Sequence, residues 1–163
     1  MKVFLEDYEI ENAVRVGTGR YNMRKDSRDR DYYANDRKQN DLLANINSAV
    51  AELAVAKYLN HYWHGGVWTP EKHTLYASNA DVGNDVEVRR IRERHNPIAI
   101  RKTDVTRNRV VYGVYVKDFE YEEVEIMGYI EAEYGWSIGQ RPEWDRYDNS
   151  RVVTSDLLTK LDT

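Results

Sequence analysis

The chain has 163 residues, 41% of them hydrophobic and 32% charged, which fits one soluble globular domain spanning residues 1–163 with a real core. No apolar run reaches the roughly 20 residues of a membrane span, and "MKVFLEDYEIEN" lacks the apolar stretch of a signal peptide, so the expected location is the cytoplasm. Zero cysteines exclude disulfides, thiolate zinc sites and cysteine nucleophiles, and the net charge of −4 excludes a simple polycation coating nucleic acid.

That sum hides an uneven distribution. From Arg15 to Lys38 there are eight basic and four acidic residues, and from Glu87 to Arg109 eight basic and three acidic. From Asp118 to Thr163 twelve acidic residues face four basic ones. The bland reading of such runs is a solvated face.

In chain order, "EDYEIENAVRVGTGRY" has helical spacing at Tyr8, Ile10, Val14 and Val16 and is predicted to end at Gly17 and Gly19. The polar "NMRKDSRDRDYYANDRKQ" reads as a loop. A strong helix follows from about Asn40 to Asn60, with an apolar stripe through Leu42, Ile46, Val50 and Leu53. Its small residues Ala49, Ala51, Ala54 and Ala56 predict close packing against a sheet. "HYWHGGVWT" breaks that helix. His61 and His64 lack a third metal ligand nearby, so packing or surface roles are favoured for them. The "GTGRYN" run follows no strand and is no dinucleotide loop. Trp63, Trp68, Trp136 and Trp144 read as core and cover residues rather than base-stacking groups.

"VEVRRI", "PIAIR", "VVYGVYVKD" and "EVEIMGYIEAEY" are four strand-like runs, "RVVT" a short late strand, and "TSDLLTKL" a closing helix capped by Thr154 or Ser155. The predicted class is α/β or α+β, one domain built on a mixed central sheet flanked by helices, with α/β the class taken forward.

The register of "ADVGNDVEVRR" decides where its charges go. A two-residue loop at Gly83-Asn84 would turn Asp81 toward the valines. A three-residue loop, Gly83-Asn84-Asp85, pairs Val82 with Val86, Asp81 with Glu87 and Ala80 with Val88. Ala80, Val82, Val86 and Val88 then share one face, and Asp81, Glu87 and Arg89 the other. Opposed carboxylates repel unless a cation lies between them. Arg89 could be that cation on an ordinary salt-bridged face. A divalent metal is the alternative, and oxygen ligands suit Mg²⁺ or Mn²⁺ rather than Zn²⁺.

The segments "AVAELAVAKYLNHYW" and "ADVGNDVEVR", with "PIAIRKTD", "VVYGVYV", "VEIMGYI" and "VVTSDLL" downstream, resemble the PD-(D/E)XK nuclease superfamily, especially its small phage-encoded members. The resemblance runs from roughly Glu9 to Leu161. It implies a restriction-endonuclease-like fold and a Mg²⁺- or Mn²⁺-dependent deoxyribonuclease. Glu52 would be the helix carboxylate, Asp81 the central metal ligand and Glu87 the acidic member of the tripeptide, all three holding metal. Arg89 stands where the family has lysine. Arginine stays charged, so it would serve as a fixed clamp on the scissile phosphate rather than a proton carrier. Arg90, Arg92, Arg101, Lys102 and residues of the 20–38 segment could bind DNA phosphates, and none is an obvious base reader. Cutting both strands of a duplex makes a homodimer compatible with this reading. The alternative is the same fold with a degenerate site, binding nucleic acid or a host protein without cutting.

Overall fold

The computed structural model describes residues 1–24, 41–69, 72 and 78–162. From residue 25 on, the predicted polar loop lies outside the described residues, as do the phosphate contacts expected of it.

The chain forms a short strand β1 (Lys2–Phe4), two long helices α1 (Asp7–Arg24) and α2 (Asp41–Tyr58), and then strands β2 (Val86–Ile91) and β3 (Ile98–Arg101). A one-turn helix α3 (Lys102–Thr106) leads to the long strands β4 (Val110–Lys117) and β5 (Glu120–Glu131), helix α4 (Ala132–Ile138), strand β6 (Ser150–Val153) and a 3₁₀ turn over Ser155–Leu157. The central sheet has order β1-β5-β4-β2, with β2 parallel to β4 and the other pairs antiparallel. It is a mixed sheet flanked by helices. A parallel pair needs a long crossover, and the stretch between β2 and β4 supplies it while building β3, which pairs antiparallel with β6 as a separate small sheet.

Side chains of β4 alternate between two cores, as a pleated strand requires. Tyr112, Val114 and Val116 join Val86, Val124 and Ile126 beneath α2, whereas Val111 joins Ile91, Ile98, Ile100, Ile130 and Val153 on the other side. Helix α2 is buried almost all round because α1 covers one flank and the sheet the other. Ala49, Ala51 and Ala54 are fully buried, as their small size predicted.

Four elements differ from the sequence reading. Helix α1 runs through Gly17 and Gly19 rather than ending there. β1 was not foreseen; its three residues pair with Phe4 opposite Glu123 and Lys2 opposite Glu125. The last predicted strand stops at Glu131, and Ala132 onward is helical. The closing helix is only the 3₁₀ turn, after which Thr159 bridges Tyr129.

Gly17 has a packing role. A Cβ placed there would lie 2.4 Å from Ile46 Cα and 2.7 Å from Ile46 N, so α1 and α2 cross backbone against backbone. Gly17→Ala gains about 1 kcal/mol of helix propensity, but the crossing must open. A net loss of roughly 1–3 kcal/mol is expected in urea unfolding. An unchanged or raised midpoint would show that the crossing is not tight.

Candidate functional site

The turn before β2 adopts the three-residue form. Val82 and Val86 exchange both backbone hydrogen bonds (3.1 and 3.2 Å), and Gly83 takes a left-handed φ of 58°. The ladder stops after this one bridge. The expected Ala80–Val88 pairing is absent, because the Val88 N–H donates instead to Asp81 Oδ2 at 2.9 Å. That bond places the Asp81 carboxyl close enough to Glu87 to raise its pKa.

Glu52, Asp81, Glu87 and Arg89 all line one cleft of about 740 Å³, between α2 and the wall formed by β3 and α3. Arg20, Arg90, Arg101 and Asp104 line it as well. Four separate stretches of chain therefore bring acids together: α2, the turn at 81, β2 and α3. Burial pushes the Glu87 carboxyl up to about 7; Asp81 and Asp104 raise it further, while Arg89 opposes them. Burial likewise lifts Glu52 to about 6, against the pull of Arg20 and with help from Asp81. Carboxylates crowded in a poorly hydrated cleft hold their protons for this reason.

Each carboxylate has protein partners. Arg20 donates to both oxygens of Glu52 (2.8 and 3.0 Å), Trp63 Nε1 donates to one of them (3.1 Å), and Arg20 Nε reaches the Gly66 carbonyl (2.8 Å). Glu52, expected to hold metal, thus faces the cleft with both oxygens accepting hydrogen bonds from Arg20 or Trp63. Glu87 Oε1 lies 3.1 Å from Arg109 Nε. The buried Arg109 also donates to the Asn84 carbonyl (2.6 Å) and the Ser78 carbonyl (2.5 Å), clamping the turn that carries Asp81.

Arg89 is bound from within. Its Nη2 donates to Asp104 Oδ2 at 2.6 Å, its Nε to the Ala99 carbonyl at 3.2 Å, and its Nη1 lies 3.6 Å from Glu87. Where a phosphate clamp was expected, the structure has a bridge joining β2 to β3 and α3. Arg90 points to the α2 side, where it donates twice to the Val116 carbonyl (3.0 and 2.7 Å) and lies 3.3 Å from Asp118. Arg101 is exposed and lines the cleft; Arg92 and Lys102 are exposed outside its lining.

Asp104 and Arg109 were missed as site residues, and Arg20, in the 20–38 segment expected to bind phosphates, is paired with Glu52. Asp104 had a faint signal, an acid three residues after a strand end; its Oδ2 also accepts the Arg101 N–H at 2.8 Å. Nothing in the sequence marks a buried arginine at 109.

Among the described residues no three acidic or imidazole groups are grouped to hold one ion. The adjacent pair Asp81 and Glu87 still suits Mg²⁺ or Mn²⁺: Mg²⁺ commonly takes one or two carboxylates and completes its shell with water and substrate phosphate. His64 belongs to a different contact, its Nδ1 accepting the Gly66 N–H (3.0 Å) and its ring stacking on Trp68. Comparison of the chain with protein-family models, curated proteins and solved structures found no match.

Proposed function

We propose that this chain is a metal-dependent nuclease of restriction-endonuclease-like fold that hydrolyses DNA phosphodiester bonds, with Asp81 and Glu87 holding Mg²⁺ or Mn²⁺. The observation that carries the reading is the convergence of Asp81 and Glu87, from two sides of a tight turn, in a cleft lined by arginines. Protein atoms hold two repelling carboxylates in contact at a cost in stability, and a cation between them removes that cost. When bound, the metal supplies a hydroxide at neutral pH and offsets charge on the non-bridging phosphate oxygens.

The protein groups have separate tasks. The Val88 N–H orients Asp81, Arg109 fixes Glu87 relative to the turn, and Arg101 on the cleft wall attracts the phosphate backbone. Glu52 holds Arg20 at the cleft. A second reading, a binding module without catalysis, is favoured by one observation: Arg89, at the family's lysine position, is tied to Asp104 and the Ala99 carbonyl.

The test is incubation of purified protein with linear, circular, branched and single-stranded DNA in Mg²⁺, Mn²⁺ or chelator. Cleavage that needs metal supports the nuclease; binding without cleavage on every form supports the module. Within an active protein, Arg89→Lys keeps a cation beside Asp104 and retains partial activity. Arg89→Ala strands the buried Asp104 and is expected to fall roughly tenfold or more below it.

A further inference from the structure

Residues 139–149 join α4 to β6, and their conformation is fixed from inside. Asp145, only 7% exposed, accepts the N–H groups of Asn149 and Ser150 (both 3.1 Å), while Arg141 Nη2 donates to the Asp145 carbonyl (2.9 Å). The loop is also stitched to the cleft wall. The Lys102 N–H donates to the Asn149 carbonyl at 2.9 Å, and Ser150 stands opposite Arg101 in the β3–β6 register.

This braced loop displays Trp144 at 64% and Tyr147 at 74% exposure, which corrects the expectation that Trp144 covers a core. A single exposed apolar side chain needs no explanation. Two aromatic rings three residues apart, on a loop held by a buried carboxylate and beside exposed Lys102 and Arg146, are a different matter. Around the loop Lys102, Arg141, Arg146 and Arg151 stand against Glu143, Asp145 and Asp148: Asp145 is held by Arg141 and the backbone, and Asp148 pairs with Arg151 at 2.5 Å while also facing Arg141 and Lys102, so the basic groups exceed the acids by one.

We propose that the 139–149 loop is a stacking platform for unpaired bases of single-stranded DNA, the same strand running past Lys102 and Arg101 into the cleft. The inference rests on the nuclease reading for the chemistry of its occupant, and it adds a substrate class. Trp and Tyr rings are stiff and lose little entropy on contact, and every unpaired base offers a face to stack on. Bases within a duplex are already stacked and gain less. The cations at 102 and 146 contribute the salt-dependent part of binding.

The test is binding of fluorescein-labelled (dT)₂₀ and of a 20-base-pair duplex, in chelator so that nothing is cut. The wild type should bind (dT)₂₀ with quenching of tryptophan emission. Trp144→Ala and Tyr147→Ala should each weaken it roughly 5- to 100-fold without changing the salt slope. Lys102→Ala and Arg146→Ala should flatten that slope. Trp144→Phe should restore most of the affinity, and duplex binding should respond little to any aromatic change. No binding of (dT)₂₀ by the wild type, or equal binding by wild type and both alanine variants, overturns the platform. Metal-dependent cleavage with indifferent aromatic variants would sink this inference alone. Binding through Trp144 with no cleavage of any substrate would sink the nuclease reading alone.

Discussion

Glu87→Gln is expected to abolish metal-dependent cleavage while leaving DNA affinity unchanged or higher. Glutamine is nearly isosteric, and Arg109 holds the turn through the Asn84 and Ser78 carbonyls rather than through a hydrogen bond to Glu87, so the turn and β2 stay in place. What disappears is the negative charge that, with Asp81, attracts the cation. A single carboxylate facing a divalent ion in water competes poorly with hydration. The loss should exceed about a thousandfold in single-turnover cleavage, the scale on which a metal-generated hydroxide outperforms water. Affinity should survive because one negative charge has left a cleft that attracts phosphate through arginine. A variant that cuts within tenfold of the wild type would remove Glu87 from the site.

Arg109→Met should produce the largest loss of stability. Arg109 is 8% exposed, donates to the carbonyls of Ser78 and Asn84, and lies in an ion pair with the Glu87 carboxylate, its Nε making no hydrogen bond among the described residues. Methionine fills much of the volume but strands two carbonyls and a half-buried acid. Removing one partner of such a buried pair typically costs about 3–5 kcal/mol. The loss should be larger at pH 8 than at pH 5, because a protonated Glu87 no longer needs the cation. Urea unfolding of the variant at both pH values gives the answer. A loss under about 1 kcal/mol, or one independent of pH, would mean that Arg109 is not the clamp.

The legible parts of the chain were those where alternation or helical period is strong. The three-residue turn followed from Val82, Val86 and Val88, since any even register would turn Asp81 into the core. The burial of α2 followed from its alanines. Errors arose where a residue does something other than its usual local task. Gly17 ends no helix because it serves a helix crossing. Ala132 continues an apolar run while the backbone changes from strand to helix, and the hydrophobic pattern there is too short to reveal the switch. β1 has three residues and gains its order from β5.

Of the acids lining the cleft, Glu52, Asp81 and Glu87 were legible and Asp104 was not; the pairings of the arginines were not legible either. Asp81 and Glu87 stand out because they flank the predicted turn, although the expected Asp81–Glu87 strand pairing is absent and the Val88 N–H places the Asp81 carboxyl instead. The arginine pairings depend on tertiary contacts between distant segments: Arg20 with Glu52, Arg109 with Glu87, Arg89 with Asp104. Sequence spacing does not encode these, and in an arginine-rich stretch it does not distinguish Arg101, which is exposed in the cleft, from Arg90, which also lines it but whose guanidinium is bound to the Val116 carbonyl.

The raised pKa values fix a sign for pH dependence. Glu87 sits near 7 and Glu52 near 6, both above their ordinary value of 4.5, so the folded state binds protons more tightly than the unfolded chain. Their contribution to stability is fully present below about pH 4.5 and is lost as pH rises through 6 and 7. A divalent cation competes with those protons for the same oxygens, so its stabilising effect must grow over the same range. Thermal melting of the wild type and of Glu87→Gln, with and without Mn²⁺ at pH 5 and pH 8, tests the claim that Asp81 and Glu87 form a metal site. The account predicts an upward shift with Mn²⁺ that is large at pH 8, small at pH 5 and largely absent in Glu87→Gln. A wild type unmoved by Mn²⁺ at pH 8, or a Glu87→Gln variant shifted as far as the wild type, would contradict it.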